Sequence, residues 1–209
     1  MKATLIKQSA LATLGALTLL ANTSFAGQYF VGGSVNLSKN TTDYKGNNPK
    51  VSIANGKASK YSPQASLIGG YKTQIGNFNF ISEAGFDLAS TKIGKESKNQ
   101  MEVKKGVAFN ISQKVGYVFK DASSIYATAG ITIAKHKFNH KELKISDETL
   151  AQPFLGLGSE VKVSENLFLF SEFNYILTKK VKFVDHAKKE IGTIKIGGEQ
   201  FKIGARYYL

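Results

Sequence analysis

The 209-residue sequence contains no cysteine, only three prolines and a single arginine, Arg206. Without cysteine the fold holds no disulfide bonds, on which small secreted domains often depend. No stretch combines sustained helical periodicity with capping residues, and glycine is frequent, so the chain is expected to be all-β. Beyond residue 26 there is no apolar run of the ~20 residues that a membrane-spanning helix needs.

The first 26 residues differ from the rest of the chain. Lys2 and Lys7 give a basic start, residues 10–21 are an apolar run, and Ser24, Phe25 and Ala26 end it with mostly small side chains. This order is typical of a cleaved signal peptide, and the apolar run is short for the alternative, a membrane helix of ~20 residues. We therefore expect residues 1–26 to be removed and residues 27–209 to form one exported domain.

Period-two alternation of apolar and polar residues runs through the whole mature chain. A period of two indicates strands with unlike faces, and segments of about ten such residues separated by turns are the signature of a membrane barrel. The eight predicted strands are 28–38, 64–74, 78–90, 105–119, 124–134, 152–163, 167–178 and 198–209.

The predicted connections alternate in length. Short turns at 75–77, 120–123 and 164–166 contrast with long polar segments at 39–62, 91–104, 135–150 and 179–194. This is the plan of an eight-stranded antiparallel transmembrane β-barrel, with short periplasmic turns and long extracellular loops. In the alternative, a soluble sandwich or lipocalin-like barrel, the apolar residues would point inward.

Aromatic residues gather near the predicted turns, as in the interfacial girdle of a membrane protein. The predicted girdle contains Tyr29, Tyr71, Phe78, Tyr117, Phe119, Phe168, Tyr207 and Tyr208. The last strand alternates to the final residue, with Phe201, Tyr207 and Leu209 on its apolar face. An open strand edge in lipid would leave backbone groups unsatisfied, so this strand is expected to pair with the first.

The signal peptide, the eight strands and this C-terminal pattern resemble the small outer-membrane barrel family that includes the OmpA membrane domain and the Opa-type surface proteins. The Lys/Asn-rich composition and the closing Gly204-Ala205-Arg206-Tyr207-Tyr208 are most similar to small rickettsial barrels regarded as adhesins. The resemblance implies location in the outer membrane and recognition of Phe201, Tyr207 and Leu209 by the barrel-insertion machinery. The family usually ends in Phe, whereas this chain ends in Leu209.

Five charged residues are predicted to face the lumen in one layer: Glu83, Lys114, Glu160, Glu172 and Arg206. An eight-stranded barrel is just wide enough for its side chains to fill it, so these charges must pair. By sequence Glu172, on the neighbouring strand, is the nearest partner for the planar guanidinium of Arg206. A structural plug and a gated ion path are the two interpretations, and the OmpA-like resemblance implies a salt-bridge network.

Most of the excess positive charge lies in the predicted loops. The net charge of +13 falls to +11 without the two signal lysines, and residues 39–62, 91–105, 135–150 and 179–195 hold 20 lysines against 8 acids. Such a surface attracts polyanions, although solubility and the codon usage of an AT-rich genome also account for loop lysines. Five lysines of the last segment are predicted to bind a partner: Lys179, Lys180, Lys182, Lys188 and Lys189.

The charge and the export signal together define the expected partners. They are outer-membrane lipid and lipopolysaccharide, and a host surface, serum or matrix protein or a polyanion such as a glycosaminoglycan; nucleic acid is not expected. The predicted function is a monomeric adhesin, with a structural barrel or a narrow, weakly conducting channel as the alternative.

Enzyme signatures are scarce in the sequence. The three histidines are His136, His140 and His186, all in or beside predicted loops, and no GxSxG, HExxH or phosphate-binding loop occurs. His136 and His140 are four residues apart, a spacing that suits a metal ion only on a helix. A lipid acyltransferase or deacylase is therefore the least favoured alternative, and no cofactor or metal ion is expected.

Overall fold

The computed structural model describes residues 27–46, 56–88, 91–96, 101–139, 147–184 and 190–209. The predicted signal peptide lies outside these residues. The described part contains nine strands: β1 Gly27–Gly46, β2 Gly56–Ile75, β3 Phe78–Asp87, β4 Thr91–Glu96, β5 Met101–Val118, β6 Ser124–Asn139, β7 Glu148–Lys162, β8 Leu167–Val184 and β9 Glu190–Tyr208. Across the described residues, no helix has the length and apolar character to cross a membrane.

The nine strands form a closed antiparallel barrel with eight strand positions around the ring. We call each position a stave, because β3 and β4 together occupy one of them. The pairing order is β3-β2-β1-β9-β8-β7-β6-β5-β4, and β3 also pairs with β5, which closes the ring. The third stave is divided into β3 and β4, which both pair with β5, and the register of β5 against β6 shifts between Lys105 and Ala108. The predicted eight-stranded antiparallel barrel is confirmed.

The short turns and the two ends of the described chain lie at the same end of the barrel. The turn between β2 and β3 consists of Gly76 and Asn77, where Gly76 has a φ of 58°. Glycine adopts this left-handed conformation without steric cost, as a two-residue hairpin requires. At the closing seam, the backbone N–H of Leu209 donates to the carbonyl oxygen of Tyr29 at 2.9 Å. The last strand is therefore paired with β1 to its end, as predicted.

Apolar side chains point away from the barrel over about ten residues of each stave. Val35 is 66% exposed and Leu157 is 69% exposed, whereas the alternate position Asn36 is fully buried. Exposed aliphatic residues on the outside and buried polar residues on the inside are the reverse of a soluble barrel. The sheet is therefore built to face lipid.

The strands continue beyond this apolar belt, which corrects the predicted loop boundaries. β1 and β2 remain paired up to Tyr44 and Gly56, and β8 and β9 up to Val184 and Glu190. Much of the predicted loops 39–62, 91–104, 135–150 and 179–194 is therefore paired strand. Continuous pairing satisfies the backbone hydrogen bonds that free loops would leave to solvent.

A second apolar cluster explains why these extensions remain a barrel. Inside the extended part, side chains from five strands are almost fully buried: Val103, Phe138, Leu150, Val181, Ile194 and Ile196. Burial of apolar area favours closure of the extended walls around this core. The barrel thus has a polar interior beside the lipid belt and an apolar interior beyond it.

Candidate functional site

The lumen contains a network of buried ion pairs centred on Arg206. Its Nε and Nη2 atoms donate to Oε2 of Glu83 at 3.0 and 2.7 Å, and its Nη1 donates to Oε2 of Glu160 at 2.6 Å. These three residues come from β9, β3 and β7. The single guanidinium of the chain therefore links staves on different sides of the barrel, a role that suits its planar array of donors.

Lys114 provides the second cationic centre of the network. Its ammonium lies 3.0 Å from Oε1 of Glu83 and also donates to Oε2 of Glu172. The structure thus brings the five predicted lumenal residues into one connected cluster.

The predicted partner of Arg206 was wrong, because Glu172 is held by Lys114 instead. In the β8–β9 register Phe168 lies opposite Arg206, and Glu172 lies opposite Lys202. Glu172 is therefore four residues, or about 13 Å, further along the strand than the level of Arg206. That β8 and β9 are neighbours was predictable from the sequence, but the offset between Glu172 and Arg206 along these strands was not.

Two members of the network were not predicted. Lys72 of β2 lies 2.5 Å from Oε1 of Glu160, and the Tyr208 hydroxyl donates to Oε2 of the same carboxylate at 3.1 Å. Lys72 lies on the polar face in the alternating pattern of its strand, and this position could have identified it as a lumenal residue. Tyr208 gave the opposite signal, since an aromatic residue near a turn was expected to face lipid.

Two aromatic residues of the predicted girdle therefore lie inside the barrel. Phe168 is 8% exposed and Tyr208 is 2% exposed, and their rings contact each other with centroids 4.9 Å apart. They belong to an apolar cluster beneath the charges, which contains Phe30, Ile68, Ile81, Phe168, Phe170 and Tyr208. Tyr29, Tyr71, Phe78, Tyr117, Phe119 and Tyr207 do lie on the outer face.

Aromatic rings cover both the charges and inward-facing glycines. The Phe170 ring centroid is 4.0 Å from Cζ of Arg206, a cation–π distance. The same ring occupies the space beside Gly204, where an added Cβ would lie 2.7 Å from it. Phe30 beside Gly70 and Tyr126 beside Gly158 repeat this arrangement. The glycines let the rings lie flat against the wall and fill the lumen.

The network is excluded from solvent. Arg206 and Glu160 have no exposed surface, and Lys114, Glu172 and Glu83 are 1%, 2% and 7% exposed. Removing such charges from water is expensive, and it is tolerated only where each charge has close partners of opposite sign. The pairs and rings together fill the lumen at this level.

A second polar cluster lies closer to the apolar core of the extensions. Asp87 accepts hydrogen bonds from Ser66 at 2.6 Å and Asn110 at 3.1 Å, and its other oxygen lies 3.9 Å from the ammonium of Lys105. Asn36 donates to the same carboxylate at 3.3 Å. Asp87 stands on the polar face in the alternating pattern of its strand, but its partners come from three other strands, which alternation does not reveal.

The predicted partner-binding lysines are distributed differently from expectation. Lys179, Lys180 and Lys182 lie on β8 rather than in a loop, and Lys188 and Lys189 fall outside the described residues. The ammonium of Lys179 donates to the carbonyl oxygen of Ala151 at 3.2 Å, so this side chain is held against the neighbouring stave. Lys180 and Lys182 are exposed.

The predicted insertion residues all lie on the lipid face of β9. Phe201 is 44% exposed, Tyr207 is 49% exposed and Leu209 is 69% exposed. Their recognition by insertion machinery stays a prediction.

His136 is the histidine that the structure describes. It is 1% exposed inside the extended wall, and its Nδ1 lies 3.2 Å from the carbonyl oxygen of Ala134. Burial, with a smaller effect of the nearby Lys105 cation, lowers the pKa of His136 to about 4. His140 and His186 lie outside the described residues. Among the described residues, no group of three or more His, Asp or Glu side chains is placed to hold a metal ion.

Comparison with known proteins agrees with this architecture. The family described as "Outer membrane protein beta-barrel domain" matches residues 10–208. A barrel that faces lipid and is filled by paired charges defines the class of small outer-membrane β-barrels, and this chain belongs to the outer membrane protein beta-barrel domain family. It is therefore an outer-membrane protein. No curated protein sequence matches the chain.

Several solved outer-membrane proteins are similar in structure to this chain. Outer membrane protein OprG from Pseudomonas aeruginosa is 11% identical, with 88% of this chain and 97% of that one covered and a TM-score of 0.53. The Ail attachment invasion locus protein of Yersinia pestis, solved with the heparin analogue sucrose octasulfate, is 13% identical over 86% and 99% of the chains, with a TM-score of 0.46. The protease OmpT from Escherichia coli is 8% identical over 90% and 99%, with a TM-score of 0.47. At 11% identity, the similarity to OprG shows the fold alone.

Proposed function

We propose that this outer-membrane barrel is an adhesin, which binds an anionic host or extracellular factor through the lysine-rich ends of its extended strands. The observation that carries the proposal is the concentration of exposed lysines on these extensions, opposite the short turns. The exposed set includes Lys45, Lys57, Lys60, Lys135, Lys137, Lys180, Lys182 and Lys195.

The orientation follows the general plan of such barrels. Short turns and both termini face the periplasm in bacterial outer-membrane barrels, and the long connections face outward. With this orientation the extensions and their lysines project from the cell. The apolar core of Val103, Leu150 and Ile194 would hold the projecting walls in a fixed shape, so that a partner meets preformed strands.

Electrostatics supports an anionic partner. Cations clustered on one end of a protein raise the local concentration of polyanions and speed their association, although salt screens charges beyond about 8 Å at physiological ionic strength. Candidate partners are glycosaminoglycans and acidic patches of serum or matrix proteins. A specific partner must therefore add contacts that survive physiological salt.

The buried network argues against the channel alternative. Arg206, Lys114 and their carboxylate partners occupy the lumen with little or no exposed surface, and opening a path would strand at least one buried charge. The acyltransferase or deacylase alternative needs an imidazole that reaches a substrate, whereas His136 is buried in the wall. A purely structural barrel is the remaining alternative, and the binding experiment must distinguish it from an adhesin.

The test is binding of the refolded full-length mature chain to heparin and to a panel of serum and matrix proteins, at low and at physiological salt. One variant reverses Lys180 and Lys182 to glutamate. The matched control reverses Lys120 and Lys162, which are exposed at the other end of the barrel, so both variants change the net charge by the same amount.

An adhesin predicts binding to a defined partner at physiological salt that falls at least tenfold in the first variant and stays within twofold in the control. Binding that is confined to low salt, or that falls equally in both variants, would favour the structural barrel.

A further inference from the structure

A second cationic surface lies on the outer wall, just beyond the lipid-facing belt. It is a recess of about 440 Å³ on β2, β1, β9 and β8, lined among others by Lys39, Lys57, Lys195, Tyr175 and Glu199. The recess faces away from the barrel axis, so the material that fills it is whatever surrounds the barrel at this height. The recess shares Lys57 and Lys195 with the lysine-rich extensions, but it lies on their membrane-proximal outer wall rather than at their ends.

Strand register builds the upper edge of the recess. Asp43 lies opposite Lys57 on one side and Lys195 on the other, and Lys195 lies opposite Lys180. Directly opposite side chains on one face of a sheet are about 5 Å apart. Three lysines and one aspartate therefore form a continuous row across four staves.

The floor of the recess consists of small residues. On β1, Thr41 lies two residues closer to the membrane than Asp43, and it is opposite Ser59 on one side and Gly197 on the other. The hydroxyls of Thr41 and Ser59 are 3.2 Å apart. The space beside Gly197 is filled by Thr178, whose Oγ1 would lie 2.7 Å from an added Cβ. The hydroxyls of Thr41 and Ser59 offer hydrogen bonds to an occupant below the row of ammonium groups.

The lower edge of the recess marks the membrane surface. Lys39 lies opposite Tyr61 and Glu199, and its ammonium is 5.9 Å from the Tyr61 ring centroid. Tyrosine is enriched at the level of lipid headgroups. The exposed contact of 3.7 Å between Lys39 and Glu199 is of the kind that contributes little, so Lys39 can exchange it for a stronger anion.

Distance along the strands places the recess at the headgroups. Leu37 is the last apolar outward residue of β1, and Lys39 and Asp43 lie two and six residues beyond it. At about 3.3 Å per residue and a tilt of about 40°, they stand about 5 and 15 Å above the hydrocarbon. The headgroup layer on each side is about 5–7 Å thick. The recess therefore spans the phosphate level and the region above it.

We propose that this recess binds the phosphorylated headgroup of an outer-leaflet glycolipid. Three cations, Lys39, Lys57 and Lys195, line the recess together with two acids, Asp43 and Glu199. Lys180 lies opposite Lys195 at the edge of the recess, so the recess and its edge together carry a net charge of +2. The inference shares the orientation assumed above, but it does not depend on an adhesin function. A lipid bound here would brace β2, β1, β9 and β8, which include the closing seam of the barrel.

The test is native mass spectrometry of the refolded mature chain from micelles that contain diphosphorylated or dephosphorylated lipid A. We expect tight retention of the diphosphorylated lipid and at least tenfold weaker retention of the dephosphorylated one. The variant K39Q/K57Q/K195Q should lose at least tenfold in affinity, and the corresponding arginine variant should keep it. The control K120Q/K137Q/K162Q removes the same charge from lysines that are exposed elsewhere and should stay within twofold.

A further variant tests the position of the row. Asp43→Asn removes the acid between Lys57 and Lys195, and retention should increase at least threefold if a phosphate lies there. Equal loss in both triple variants, or equal retention of the two lipids, would overturn the proposed site. Heat-dependent gel mobility confirms that each variant is folded. Because no protein partner is present, failure here is separate from failure of the adhesin proposal.

Discussion

Arg206 donates two hydrogen bonds to one carboxylate oxygen of Glu83, from Nε at 3.0 Å and from Nη2 at 2.7 Å. The two residues are 123 positions apart in the chain and lie on non-adjacent staves, so this contact crosses the lumen. Lys114 holds the other oxygen of Glu83 at 3.0 Å. Glu83 is therefore shared by both cationic centres of the network.

The first prediction concerns the stability of this pair. Arg206→Met should lower the free energy of unfolding by about 3–5 kcal/mol, because it leaves buried carboxylates with too few cations. In the double variant E83M/R206M, the pairs Lys72–Glu160 and Lys114–Glu172 remain balanced, so the loss should be smaller than the sum of the two single losses. Urea unfolding in micelles, followed by circular dichroism, measures both.

The single and double variants of Glu83 and Arg206 form a double-mutant cycle, and an exposed ion pair provides its control. Lys135 and Asp147 are 3.0 Å apart with side chains 58% and 37% exposed, and Lys135→Met should cost about 0–1 kcal/mol. Strict additivity in the Glu83–Arg206 cycle would contradict a direct buried interaction.

The second prediction concerns the glycine beside the Phe170 ring. A Cβ on Gly204 would lie 2.3 Å from the carbonyl oxygen of Gly33 and 2.7 Å from the ring. Gly204→Ala should therefore destabilise the barrel by about 1–3 kcal/mol, as expected for overpacking. The neighbouring Gly33→Ala meets its nearest atom at 3.4 Å and should stay within about 0.5 kcal/mol. Equal effects in urea unfolding would mean that Phe170 does not occupy this space.

The third prediction concerns the titration of His136, which lies beyond the lipid belt. Burial lowers its pKa to about 4 in the folded barrel, whereas an unfolded histidine titrates near 6.5. The unfolded state therefore binds the proton first as pH falls. This contribution to stability is fully present above about pH 6.5 and is lost progressively as the pH falls toward 4.

Selective labelling of histidine Cε1 and NMR titration in micelles measures that pKa. His136→Gln identifies the signal and should flatten the pH dependence of stability between about pH 4 and 6.5. A signal that titrates near 6.5 in the folded barrel would show that the ring is hydrated.

The sequence predicted the barrel because alternation is a local property. Apolar Val35 and polar Asn36 are adjacent in the predicted strand 28–38, so alternation alone puts them on opposite faces, and the structure places them outside and inside. The same rule placed Glu83, Lys114 and Arg206 in the lumen. Alternation of turn lengths added the antiparallel order, since each short turn joins strands that must pair.

The partners and the upper boundaries of the strands depended on information that alternation does not carry. The pairing of Arg206 with Glu83 follows from the stagger of β9 and from reach across the lumen, whereas sequence order favoured Glu172. Phe168 and Tyr208 face inward, where they join the buried apolar cluster beneath the charges, a packing that alternation does not reveal. Alternation at Ile194 and Ile196 was present beyond the belt, but flanking polar residues made that segment resemble a loop.

The filled lumen is tested most directly by the conductance of the refolded mature chain in planar bilayers. If the lumenal network fills the barrel, the wild-type protein gives no stable current steps, and Arg206→Ala produces steps because it removes the largest side chain of the network. Stable, ohmic steps from the wild-type barrel would contradict the filled lumen and would favour a channel over an adhesin.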